Sequence, residues 1–96
     1  MKRVGVFIAL VVLAAPAFSK NSCATEMCLS DYKAARNIEK CKTPIKDFFS
    51  IKKKRNGHFD PGRTLKARRD YIYSCKSNNK KEKEYILAAY GSIVSP

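Results

Sequence analysis

Four cysteines, Cys23, Cys28, Cys41 and Cys75, and a single histidine, His58, carry the most specific chemistry in this 96-residue chain. Reduced, they could ligate zinc or pair a thiolate with an imidazole base. The spacing argues otherwise. The cysteines are separated by four, twelve and thirty-three residues, with no C-x-x-C pair, whereas structural zinc sites draw ligands from closely spaced pairs. An even cysteine count in a short chain with an export leader reads as two disulfides, which leaves no thiolate for a metal or a nucleophile. His58 follows Asn56-Gly57 in a basic turn, where a solvated imidazole is the ordinary outcome. No metal and no cofactor are expected.

Paired carboxylates are the other route to catalysis. A glycosidase needs two of them facing each other across a sugar cleft, roughly 5–9.5 Å apart. The eight present are Glu26, Asp31, Glu39, Asp47, Asp60, Asp70, Glu82 and Glu84. Asp60 precedes proline and reads as a helix cap, and Glu82 fits a capping box with Asn79. A chain that needs disulfides to hold together has little material for a cleft. No catalytic residue is expected, and the chain does not read as an enzyme.

Positive charge is the remaining signal. Twenty Lys and Arg against eight Asp and Glu give a formal charge of +12. The densest clusters are Lys52-Lys53-Lys54-Arg55, the group Arg63, Lys66, Arg68 and Arg69, and Lys80, Lys81 and Lys83. Solvated faces that keep a small protein soluble are the plain reading. The functional reading is an anionic partner, with Lys52, Lys53, Lys54, Arg55, Arg63, Arg68 and Arg69 as candidate binding residues. Nucleic acid fits poorly, because aromatics are not interleaved with the basic residues as a stacking platform requires. Tyr71, Tyr73, Tyr85 and Tyr90 instead fall at helical spacings.

The elements that must position these residues begin after a leader. Met1-Lys2-Arg3, the apolar run Val4 to Leu13 and the small residues up to Ser19 have the layout of a secretory signal peptide. Ten apolar residues span about 15 Å as a helix, half of a hydrocarbon core of about 30 Å, so removal is expected, after Ser19 or after Ala17. Removing residues 1–19 from 96 leaves 77, and losing Lys2 and Arg3 takes the charge from +12 to +10. No transmembrane segment would then remain. A domain this small buries too little surface to be stable without staples. Residues 20–96 are expected to form one disulfide-stapled basic domain in the periplasm.

The fold class expected is all-α: a small bundle of three to four short helices cross-linked by two disulfides, without a convincing strand. Asn21 or Ser22 could cap a first helix through Cys28, and Ser30 or Asp31 a second. Thr43-Pro44 and Asp60-Pro61 each pair a capping side chain with proline at the first helical position. Ile45, Phe48 and Phe49 then share a face, as do Arg68, Tyr71, Ile72 and Cys75. Asn56-Gly57 is a turn signal. A last helix would run through Tyr85, Ile86, Ala89 and Tyr90 to Gly91, and Ser92 to Pro96 would be a loose tail. Core candidates are Phe48, Phe49, Ile51, Phe59, Leu65 and Ile72. Cys23 and Cys28, five apart on a helix, diverge and should not pair. That leaves 23–41 with 28–75, or 23–75 with 28–41. An unbroken helix from 28 to 41 would hold its ends about 20 Å apart, which favours 23–41 with 28–75.

Cys28-Leu29-Ser30 ahead of Cys41, then Phe48-Phe49-Ser50-Ile51, Phe59, Arg63-Thr64, Arg68-Arg69 and Cys75 form an ordered pattern. With Cys23, it closely resembles the TrbM/KikA/MpfK family of conjugal transfer proteins over residues 23–75. The helix after residue 76 falls outside this resemblance. The resemblance implies an exported, plasmid- or element-encoded protein that accompanies a conjugative type IV secretion system, with disulfides holding its fold. It carries no catalytic residue. The function expected is a non-enzymatic periplasmic accessory of plasmid transfer that binds protein components of the conjugation channel or pilus, with an anionic envelope surface as a further partner. The name KikA also points to the alternative, a small cationic secreted or periplasmic effector associated with host-cell killing.

Overall fold

The computed structural model describes residues 21–96, so the leader expected over residues 1–19 lies outside the described residues. Five helices and one small hairpin follow in order: α1 (Ser22–Leu29), α2 (Tyr32–Ala35), α3 (Glu39–Ser50), β1 (Lys54–Arg55), β2 (His58–Phe59), α4 (Pro61–Tyr73) and α5 (Lys80–Tyr90). The described residues are mostly helical, with five helices where three to four were expected, and a two-stranded antiparallel sheet.

Local chemistry explains most of the boundaries. Asn21 caps α1 by accepting from the Ala24 N–H at 3.0 Å, and Asp31 caps α2 by accepting from the Ala34 N–H at 3.3 Å. Asp60 accepts from the Arg63 N–H at 3.0 Å, with Pro61 at the first position of α4. Each bond satisfies a donor that the first turn leaves without an intrahelical partner.

Two expectations need correction here. Helix α3 does not begin at Pro44; it begins at Glu39 and carries Pro44 inside it. Proline costs an N–H to the carbonyl four residues back, but this near the helix start only the Lys40 carbonyl is affected. Asn79 does not close a capping box with Glu82. It makes no side-chain cap bond at α5, and its Nδ2 donates instead to Glu26 at 3.0 Å.

The Asn56-Gly57 turn closes a hairpin rather than a loop. Lys54 pairs with Phe59 and Arg55 with His58. Asn56 has φ 53° and Gly57 φ 82°, the two positive values of the turn whose twist suits adjacent antiparallel strands. The strands lack apolar alternation because three of their four residues, Lys54, Arg55 and His58, are polar.

Disulfides join Cys23 to Cys75 and Cys28 to Cys41, with Cα separations of 4.9 and 5.7 Å. The favoured pairing, 23–41 with 28–75, is therefore replaced by the other one. The chain turns at Ser30 and leaves helix at Ile38, so residues 28–41 fold back instead of extending. Cys41 then reaches Cys28 beside buried Ala35.

The core gathers Leu29, Phe48, Phe49, Ile72, Ile86 and Leu87, with Tyr32, Ile45, Leu65, Tyr71, Tyr73 and Tyr90 packed against it. Phe48 and Phe49 meet edge to face at 5.1 Å, and Phe49 meets Tyr90 at 6.1 Å. Ile51, Phe59 and Leu65 are half-buried. Each fully buried side chain of this size contributes about 1.5–3 kcal/mol. On α5 the inward face is Lys83, Ile86, Leu87 and Tyr90 rather than one through Tyr85, which is 52% exposed. Gly91 has φ −69°, so its place reflects space. A Cβ there would overlap the Leu65 side chain and the Leu87 carbonyl.

Candidate functional site

Seven basic residues were the sequence's binding candidates, and the fold separates them. Arg68 leaves the set: it is 0% exposed. Its Nε donates to the Ile51 carbonyl at 3.0 Å, and its Nη1 to the carbonyls of Tyr90 at 2.7 Å and Ile93 at 2.6 Å. Ile51 caps the C-terminus of α3 and Tyr90 ends α5. Both helix ends present bare carbonyls and the negative pole of a helix dipole. The guanidinium lies 5.0 Å from the Phe48 and Phe49 ring centres. Burial lowers its pKa, yet an arginine stays charged in a protein. It neither reaches solvent nor pairs with a carboxylate; it fastens two helix ends and the start of the tail.

Arg69 is on the α5 side of α4. Its Nη1 lies 2.7 Å from Glu84 Oε2, which also accepts from the Tyr73 hydroxyl. The Tyr73 bond, with Arg69 second, lowers the Glu84 pKa, and the same bond raises that of Tyr73. Lys83 leaves its surface cluster too, because it is 2% exposed and pairs with buried Glu26 at 2.5 Å.

Lys53, Lys54 and Arg63 come together. With Lys66, Ala67 and Asp70 they line a groove of about 280 Å³ between the hairpin base and α4. Residues 63, 66, 67 and 70 fall on one stripe of the helix. The opposite wall is fixed by Thr64, which is fully buried. Its hydroxyl accepts from the Lys53 N–H at 2.9 Å and faces the Lys53 carbonyl at 3.4 Å. The Asp60 N–H donates to that carbonyl at 2.8 Å. Strand alternation divides the basic run: Lys54 shares a face with half-buried Phe59, and Arg55 with exposed His58. Lys52 is exposed but does not line the groove. Arg63 leans toward Asp60 at 3.6 Å, whereas Lys53, Lys54 and Lys66 make no ion pair among the described residues.

This groove can hold an anion by charge, and it contains no nucleophile or general base positioned against another group. The four cysteines are oxidised, and no three His, Cys, Asp or Glu side chains converge on a metal position among the described residues. No helix among them is long and apolar enough to cross a membrane.

A sequence model of the TrbM family matches residues 16–94. The chain belongs to the TrbM family. It is thereby a conjugal-transfer-related protein, and no curated protein and no solved structure matches it. The TrbM match runs past Cys75, where the resemblance read from the motifs ended, and takes in α5. The packing accounts for that extension: α5 supplies Ile86 and Leu87 to the core and Lys83 to the buried pair. The signal lay in the sequence as a cation at position 83, in register with Ile86, Leu87 and Tyr90.

Proposed function

We propose that this TrbM-family chain is a non-enzymatic accessory of conjugative transfer. After loss of its leader it works in the periplasm by binding acidic surfaces of the channel or pilus. The observation that carries this reading is the family match over residues 16–94. The basic groove supplies the binding chemistry: three lysines that make no ion pair among the described residues, Lys53 and Lys54 on the hairpin wall tied to Thr64 and Lys66 on the facing stripe of α4. A carboxylate-rich partner gains from meeting such a surface mainly in encounter rate and specificity.

The test is a triple variant, Lys53→Glu, Lys54→Glu and Lys66→Glu, expressed with the complete transfer system. Transfer frequency falls by about tenfold or more while the melting temperature and both disulfides stay unchanged, since exposed charges contribute little to stability. Transfer at the wild-type level would refute the groove's role. Loss of host viability when the chain is expressed alone would favour the cationic effector instead.

A further inference from the structure

The two disulfides differ in what surrounds their sulfurs. Cys23 is exposed, whereas its partner Cys75 is 4% exposed. Cys28 and Cys41 line an apolar cavity, yet they are only 6% and 9% exposed. One cysteine of the four therefore meets solvent. A groove of about 250 Å³ opens onto its bond, lined by Cys23 and Cys75 with Met27, Ser30, Ser77 and Asn79.

Thiol–disulfide exchange is a displacement at sulfur, and the incoming thiolate approaches along the S–S axis, opposite the sulfur that leaves. Its rate depends on which sulfur is attacked and on access to it. Approach to Cys23 comes from solvent; approach to Cys75 would have to come through packed protein. Charge does not decide the matter. Glu26 on the groove is neutralised by Lys83, and Glu82 is a carboxylate that draws no thiolate in. Met27, on the same lining and 76% exposed, offers a partner an adaptable apolar contact.

Other ties hold the fold when this bond opens. The Ser74 hydroxyl still donates to that of Ser22, and the Thr25 hydroxyl still meets that of Tyr71, so α1 stays on α4. Lys83, Ser77 and Asn79 still bind Glu26, and Cys28–Cys41 still joins α1 to α3.

We propose that Cys23 is the point at which the dithiol of a thiol–disulfide oxidoreductase exchanges with this chain, docking across Met27. The partner's thiolate bonds to Cys23 Sγ as the Cys23–Cys75 bond breaks. The electron pair leaves on Cys75, which takes up a proton. The partner's second thiol then displaces Cys23 from the mixed disulfide. Two electrons and two protons have passed to this chain, and the partner is oxidised to a disulfide. Run in reverse, the same steps install the bond. The site is independent of the basic groove.

The test treats the native, oxidised protein with limiting dithiothreitol, blocks free thiols with N-ethylmaleimide and maps them by mass spectrometry. Cys23 and Cys75 are labelled about tenfold or more faster than Cys28 and Cys41, at a rate that sub-denaturing urea leaves unchanged. A thioredoxin whose resolving cysteine is replaced by serine is trapped on Cys23, with Cys75 alkylated. Met27→Ser, at an exposed position, slows that trapping about threefold or more, while reduction by dithiothreitol keeps its rate. The proposal is overturned if both bonds open together, if Cys28–Cys41 opens first, or if urea speeds opening in step with global unfolding. It is equally overturned if thioredoxin is trapped on Cys75 or not at all. Trapping that Met27→Ser leaves unchanged, or equal slowing with both reductants, overturns the docking surface.

Discussion

Arg68 and Lys83 each occupy an inward position on a helix, and the fold answers their charges in different ways. Arg68 is met by the carbonyls of two helix termini and two aromatic rings. A lysine has neither the fork of donors nor the flat face for that role. Arg68→Lys should therefore lower stability by about 2–4 kcal/mol in thermal or denaturant unfolding, whereas Arg63→Lys should leave it unchanged. Lys83 is met by Glu26, which also accepts from the Ser77 hydroxyl and the Asn79 amide. Burial pushes the Glu26 pKa up, but the bonds from Lys83, Asn79 and Ser77 and the ammonium charge outweigh it, and the net shift is downward from 4.5. The stabilisation is thus complete above that ordinary value and is lost as pH falls through the lower folded one. Wild-type melting temperature should drop across that acidic window. Glu26→Gln should begin about 3–5 kcal/mol less stable, with Lys83 left unpaired, and show a flatter acid limb.

Between elements, the two disulfides divide the work. Cys23–Cys75 closes a separation of 52 residues and ties α1 to the end of α4; Cys28–Cys41 closes 13 and ties α1 to α3. Chain entropy assigns them about 4 and about 3 kcal/mol. Cys75→Ser should consequently cost about 1 kcal/mol more than Cys41→Ser, read from denaturant midpoints of the singly bridged proteins. Noncovalent ties run beside the longer bridge: the Thr25 hydroxyl meets the Tyr71 hydroxyl at 3.2 Å, and the Ser74 hydroxyl donates to that of Ser22 at 2.9 Å. The hairpin presents a simpler case. Nothing lies within 4 Å of a Cβ built on Gly57, whose φ is +82°. Gly57→Ala should cost about 1–2 kcal/mol through backbone conformation alone, and a melting curve reports it directly.

Over the whole molecule, the formal charge of +12, or +10 without Lys2 and Arg3, is spread rather than confined. Lysines and arginines line the basic groove, and Arg36, Lys42 and Lys46 border Tyr32 and Phe49 elsewhere. A surface of this kind attracts acidic partners over a Debye length of about 8 Å at physiological salt. Binding through the basic groove should therefore weaken steeply as ionic strength rises, with little change in unfolding midpoint. Insensitivity to salt would remove the basic groove from the interaction.

Read alone, the residues determined whatever depends on near neighbours. Asn21, Asp31 and Asp60 cap helices because a side-chain oxygen reaches a donor three residues ahead, and Asn56-Gly57 turns the chain because both accept positive φ. Phe48, Phe49 and Ile72 declare an inward face by their period. Tertiary structure decided what depends on residues far apart. It set the disulfide pairing, which turns on where the chain doubles back before Cys41. It chose which cations are buried, since only distant carbonyls or a distant carboxylate can offset their desolvation. It also assembled the basic groove, where Lys53 and Lys54 meet a stripe of α4 only because Thr64 holds the hairpin against it.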